Sequence, residues 1–234
     1  MHSFFKVTLR TSDVDAARAF YSAVLGEREL DVVQLHEQAV ARGAKPHWLG
    51  FIEVDDVERA AAFFVERGAS PLGPKWINPQ GLEAAVMRDP GGAIVALGKP
   101  PAAQRPNESG IPGIDWSLLH TTDVERAKKN YGEMFGWQFD AARDVGEHGV
   151  FHLFAFDTGG QPAGSMTDIA TRPEVHPHWL FHHHVDSLDA ALESARAFNA
   201  NIIGPFTLPS GHRVAVCDDP QGAAFALYEK PALP

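Results

Sequence analysis

The sequence predicts an α+β fold arranged as two tandem domains, and two observations predict it. The first is that the chain carries the same landmarks twice, in one order. Thr11-Ser-Asp-Val-Asp-Ala-Ala-Arg-Ala-Phe-Tyr-Ser-Ala-Val-Leu-Gly26 returns as Thr121-Thr-Asp-Val-Glu-Arg-Ala-Lys-Lys-Asn-Tyr-Gly-Glu-Met-Phe-Gly136. Pro46-His-Trp-Leu49 returns as Pro177-His-Trp-Leu180, Leu72-Gly-Pro74 as Ile203-Gly-Pro205, and Asp89-Pro-Gly-Gly-Ala93 as Asp219-Pro-Gln-Gly-Ala223. The period is too long for a solenoid, so each copy is a small domain. The second is the hydrophobic pattern within each copy, which reads strand, helix, strands, and then the same again.

Each element has a local reason. Residues 4–10 alternate and are rich in β-branched and aromatic side chains, which is a strand pattern. Ser12-Asp13-Val14-Asp15 opens a helix, and Thr122 with Glu125 has the spacing of a capping box. Ala17, Phe20, Tyr21, Val24 and Leu25 fall on one helical face, and Gly26 ends the helix. Residues 48–54 form a strand, Asp55 or Asp56 caps the next helix, and Val57, Ala60, Ala61, Phe64 and Val65 line its buried side. Gly68 stops that helix, with Asn199 in the equivalent left-handed position of the second copy. Residues 84–87 and 93–97 are strands joined by Asp89-Pro-Gly-Gly, matched by 213–217 and 223–228 around Asp219-Pro-Gln-Gly. The copies differ between Gly26 and His47, 21 residues, and Gly136 and His178, 42 residues. The second copy has room there for strands near 137–140, 150–156 and 164–167. The first has room for one strand and a short polar segment at 36–42, so its first module is the shortened one.

The domains are expected at 1–98 and 114–234, joined by the proline-rich linker 99–113. A chain of 234 residues suits two domains of this size. A net charge of −10 argues against nucleic acid or anionic membranes as partners. The lone Cys217 permits no internal disulfide and suits a reducing compartment. The start of the chain reads as neither signal peptide nor membrane span, so a cytoplasmic location is expected.

These landmarks together resemble the vicinal-oxygen-chelate superfamily of glyoxalase I, bleomycin- and fosfomycin-resistance proteins and extradiol dioxygenases. The residues carrying the resemblance are the Asp-Val-x-x-Ala helix with its Tyr and closing Gly, the strand leading into Val54-Asp-Asp-Val57, and the Asp-Pro-x-Gly-Ala turn. The resemblance implies paired βαβββ modules, mixed sheets curled around a cavity, and helices outside. It also implies metal-ligand positions at Lys6, at Leu49 or His47, and at Ala96; in the second copy these become Trp116, Leu180 or His178, and Ala226. Lysine, tryptophan, leucine and alanine do not bind a divalent cation, so no cofactor is expected at the standard positions.

The histidines of the second copy depart from that pattern. If Leu180 faces the cavity, alternation places His182 and His184 there, with His183 on the helix side as a satisfied core residue. His120 shares the parity of Trp116, so His120, His182 and His184 could form an irregular site suited to Zn or Fe. The blander reading of the same imidazoles, and the one preferred, is polar pocket lining or structural hydrogen bonding. In the first copy Lys6, Thr8 and Arg10 share one parity, with Phe51 and Glu53 opposite; they read as a small polar pocket or as an Arg10–Glu53 ion pair closing a reduced cavity. Trp116 is placed to stack on a ligand. The candidate pocket is therefore Trp116, His120, His182, His184, Lys6, Arg10 and Glu53. The expected function is binding of a small organic molecule without the family's standard metal. The alternative is a metal-dependent lyase, isomerase or dioxygenase using the irregular histidines. No catalytic residue is singled out, and a homodimer is left open.

Overall fold

The structure, a computed structural model, describes residues 2–101, 111–146, 149–208 and 210–231. Residues 102–110 of the expected linker lie outside the described residues. In the first copy the chain runs β1 (Phe4–Thr11), α1 (Val14–Leu25), β2 (Val32–Gln34), α2 (Glu37–Ala41), β3 (His47–Glu53), α3 (Val57–Glu66), β4 (Ser70–Pro71), β5 (Trp76–Ile77), β6 (Glu83–Arg88) and β7 (Ile94–Lys99). The second copy follows with β8 (Ile114–His120), α4 (Val124–Phe135), β9 (Gln138–Phe139), β10 (Arg143–Asp144), β11 (Val150–Ala155), β12 (Gly164–Thr167), β13 (His178–His184), α5 (Leu188–Ala197), β14 (Asn201–Thr207), β15 (Arg213–Asp218) and β16 (Ala224–Glu229). The strands form two mixed sheets, of seven and nine strands. The expected α+β architecture is present; between α1 and β3 the first copy carries β2 and α2, and between α4 and β13 the second carries β9 to β12.

The helix caps correct one expectation. Asp13 and Asp123, not Ser12 and Thr122, are the N-caps; their carboxylates accept from the Ala16 and Arg126 backbone N–H groups at 3.0 Å. A carboxylate at the positive helix end is the stronger acceptor, and Thr122 donates instead to the Gly91 carbonyl at 3.2 Å. Asn199 takes the left-handed conformation expected of it, at φ 61°.

Contacts divide the chain into two compact units that do not follow the copies. One comprises Met1–Lys6, Gly50–Pro112 and Trp116–Trp179; the other comprises Val7–Leu49, Gly113–Asp115 and Leu180–Pro234. Each unit thus joins a half of one copy to a half of the other.

In the first unit, β7 pairs in parallel with β3 and antiparallel with β6, and β12 pairs in parallel with β8 and antiparallel with β11. Its core is aromatic: Trp137 stacks on Phe154 at 4.6 Å and on Tyr131 at 5.2 Å. Trp179 Nε1 donates to the Tyr131 hydroxyl at 3.3 Å, and that hydroxyl donates to Asp89 Oδ2 at 3.1 Å. Asp89 Oδ1 accepts from the Ala93 N–H at 2.8 Å, so the aspartate of the turn is a buried hub, 3% exposed. Burial pushes its pKa up to about 6, against the hydrogen bonds from Ala93 and Tyr131, which pull it down.

The second unit repeats this arrangement with the copies exchanged. Trp48 Nε1 donates to the Tyr21 hydroxyl at 3.0 Å, which donates to Asp219 Oδ2 at 3.1 Å, and Asp219 Oδ1 accepts from Ala223 at 2.9 Å. Gln221 Oε1 accepts from the hydroxyls of Thr11 and Ser12, each at 2.6 Å, and from the Asp13 N–H at 2.7 Å. Here β1 pairs in parallel with β2, β13 in parallel with β16, and β15 antiparallel with both β16 and β14.

One glycine is required by close approach. A Cβ at Gly164 would lie 2.1 Å from the Ser117 carbonyl oxygen and 2.4 Å from the Phe154 ring. Gly164→Ala must part β12 from β8, and a loss of about 3 kcal/mol is expected in urea denaturation. A variant as stable as the parent would show that β12 can shift freely.

Candidate functional site

In the first unit, register fixes which side chains share a face. Phe154, Gly164 and Ser117 lie in one row, and Phe154 packs with Trp137 in the cluster around α4. Leu153, Ser165 and Leu118 therefore point away from α4, and alternation adds Trp116, His120 and Thr167 to that face. Trp116 Nε1 donates to Ser165 Oγ at 3.1 Å. Thr167 is opposite His120 in register and is fully buried, and among the described residues its hydroxyl has no hydrogen-bond partner. The His120 ring meets His178 edge-on with centroids 4.6 Å apart, and His178 stacks on His176, also at 4.6 Å. His178 Nδ1 lies 2.8 Å from the His176 carbonyl oxygen and so is its donor. Burial holds the His178 pKa down to about 4; the hydrogen bond to the His176 carbonyl opposes this, and the His176 charge adds to it. Lys6 lies 5.9 Å from the centre of the Phe51 ring, while Phe5 packs over Gly98. The Glu53 carbonyl is 2.9 Å from His2 Nδ1.

In the second unit, His182 is in register with Ala226 and Val216, and His184 with Tyr228 and Val214, so both histidines share one face as expected. Ile203 continues the His182 row and is 64% exposed. The His182 ring lies 6.3 Å from Tyr228, which stacks on His212 at 4.9 Å. His184 Nδ1 is 3.0 Å from Asp115 and its Nε2 is 3.5 Å from Asp186, while Lys230 also reaches Asp115, at 3.2 Å. His183 is buried against Trp48 and Phe225, as expected of a core residue. Among the described residues its Nε2 has no hydrogen-bond partner, and burial, then Arg28 and His182, holds its pKa down to about 3. Thr8 donates to Asp31 at 2.6 Å, and Asp31 is also the carboxylate facing Arg10. His47 Nδ1 meets the Lys45 carbonyl at 2.7 Å, and burial, then Arg10, lowers its pKa. Cys217 is buried, which pushes its thiol up to about 12 and leaves it unreactive.

The candidate residues therefore divide between the units: Lys6, Glu53, Trp116 and His120 in the first, Arg10, His182 and His184 in the second. Ser165, Thr167, Asp115, Tyr228 and His212 join these faces without having been singled out in the sequence. For Ser165 and Thr167 a signal existed, since alternation along the expected strand 164–167 puts both on one face.

The family's metal positions do not fit a divalent ion. Leu49, Leu180, Ala96 and Ala226 are fully buried apolar side chains, and the one nitrogen of Trp116 is a donor already used by Ser165. Among the described residues no group of three or more His, Cys, Asp or Glu side chains is placed to hold a metal. Among them, too, no helix is long and apolar enough to cross a membrane.

Residues 113–227 match the model of the Glyoxalase/Bleomycin resistance protein/Dioxygenase superfamily. The chain is 29% identical over 251 residues to the putative glyoxylase CFP32 of Mycobacterium bovis, covering 97% of this chain and 94% of that protein. It superposes on the Mn(II)-bound glyoxalase from Novosphingobium aromaticivorans with a TM-score of 0.61 at 14% identity, over 98% of this chain and 83% of that one. It superposes equally, TM-score 0.61 at 17% identity, on homoprotocatechuate 2,3-dioxygenase from Brevibacterium fuscum in complex with 3,4-dihydroxyphenylacetate, over 98% and 80% of the two chains.

Proposed function

Because this chain belongs to the glyoxalase/bleomycin resistance protein/dioxygenase superfamily, we propose that it binds a small organic molecule on the helix-free face of its sheets, without a metal at the family's positions. The observation that carries this reading is the row Trp116, Ser165, Thr167, His120 and His178. It offers a partly exposed indole for stacking, a buried hydroxyl with no partner, and imidazoles in place of carboxylates. The dioxygenase relative holds a small aromatic acid, which supports an organic ligand here.

The second reading is a metal-dependent lyase, isomerase or dioxygenase, and the Mn(II)-bound glyoxalase favours keeping it. It would use His182 and His184, which share one face of the second unit, with Zn or Fe. Calorimetric titration of metal-free protein with Zn²⁺ and, anaerobically, Fe²⁺ separates the two. Under the first reading no tight stoichiometric binding is expected. Tight binding lost in both His182→Ala and His184→Ala would replace it with the second.

A further inference from the structure

The row around Trp116 carries a more specific message about what it binds. Trp116 Nε1 already donates to Ser165 Oγ, so the Ser165 proton is left to point elsewhere. The Thr167 hydroxyl is buried and has no partner among the described residues, although a buried hydroxyl without a hydrogen bond is costly. His178 gives its Nδ1 proton to the His176 carbonyl, which fixes the tautomer and leaves the lone pair on Nε2. That nitrogen is therefore the acceptor of the ring. Indole, two hydroxyls and an imidazole acceptor supply the hydrogen bonds of this face. The first copy is built otherwise: where the second has His120 beside His178, it has Arg10 beside His47.

We infer that the face formed by Trp116, Ser165, Thr167 and His178 recognises a neutral aromatic molecule through a free hydroxyl group, and that it rejects the matching carboxylate. The ring stacks on Trp116, the ligand O–H donates to His178 Nε2, and the Thr167 hydroxyl gains the partner it lacks. An ether in place of the hydroxyl leaves the imidazole acceptor desolvated and unpaired, and a carboxylate has no proton to give that nitrogen. This rests on the ligand-binding reading above.

The test uses the intact chain at pH 7 and three probes of one shape: 2-naphthol, 2-methoxynaphthalene and 2-naphthoate, followed by quenching of tryptophan fluorescence and by calorimetry. 2-Naphthol is expected to bind at least about tenfold more tightly than either of the others. His178→Leu should abolish that preference and His178→Gln, which keeps an acceptor, should restore much of it. Thr167→Val, which keeps shape and loses the hydroxyl, should weaken 2-naphthol alone and serves if His178→Leu fails to fold. Equal binding of all three probes, or a preference untouched by these variants, overturns the inference and leaves the ligand-binding reading standing. Failure of every probe to bind overturns both.

Discussion

Expressed separately, residues 1–98 and 114–234 will each fail to show a cooperative melting transition, and co-expressing them will restore one. The reason is that neither compact unit is contained in one copy. Tyr21 and Trp48 of the first copy complete their buried hydrogen-bond chain on Asp219 of the second, and Tyr131 and Trp179 of the second complete theirs on Asp89 of the first. A lone first copy would leave Tyr21 without its acceptor and strip Phe20 of Phe225, whose ring lies 5.8 Å away. Each stranded buried polar group costs about 1–3 kcal/mol, on top of the lost apolar burial, against a typical domain stability of about 5–15 kcal/mol. Circular dichroism melts of each piece and of the co-purified pair decide the matter. A sharp transition in either piece alone would show that the copies fold independently.

The second large effect is pH-dependent stability through Asp89. Its pKa in the folded protein is about 6, above the ordinary 3.8, so the folded state holds the proton more tightly than the unfolded state. The contribution is complete below about pH 4 and is lost as pH rises through about 6. A shift of this size corresponds to about 3 kcal/mol. Asp89→Asn keeps one acceptor oxygen for the Ala93 N–H, turns its amide donor toward the Tyr131 hydroxyl, and cannot ionise. Urea denaturation at steps from pH 4 to pH 7 should therefore show the wild type losing stability across that window and the variant losing much less. Asp219, raised in the same direction by burial, keeps a residual slope in the variant. Parallel curves would mean that Asp89 is charged throughout.

Much of the fold is legible in the sequence because it is set locally. Alternation, the helical face of Ala17, Phe20, Tyr21, Val24 and Leu25, and the left-handed Asn199 each depend on neighbours a few residues away. The exchange of halves is not local. The turns at Asp89 and Asp219 are nearly the same word, so nothing in the sequence says which of them Tyr21 will find. The capping residue was one position off for a related reason: Thr122 has the right spacing, but its hydroxyl is drawn to Gly91, a residue 31 positions back. In the candidate site, alternation correctly groups His182 with His184. It has no power across strands, and there the structure sets His120 beside His178 and His184 beside Asp115. Asp115 is an ordinary residue at a strand start, with no signal in the sequence. His178 had one, since it repeats His47 in the Pro-His-Trp-Leu landmark.

The shared Trp–Tyr–Asp chains also bear on how the two faces came to differ. A single copy that exchanged halves with an identical partner would build both units from one sequence, and symmetry would force the same side chain on both faces. Covalent duplication removes that constraint. Here the locks have stayed alike, Tyr21 with Asp219 and Tyr131 with Asp89, while the positions beside them have drifted apart: Arg10 in one copy, His120 in the other. The chain thus keeps two like locks while being free to present two unlike surfaces.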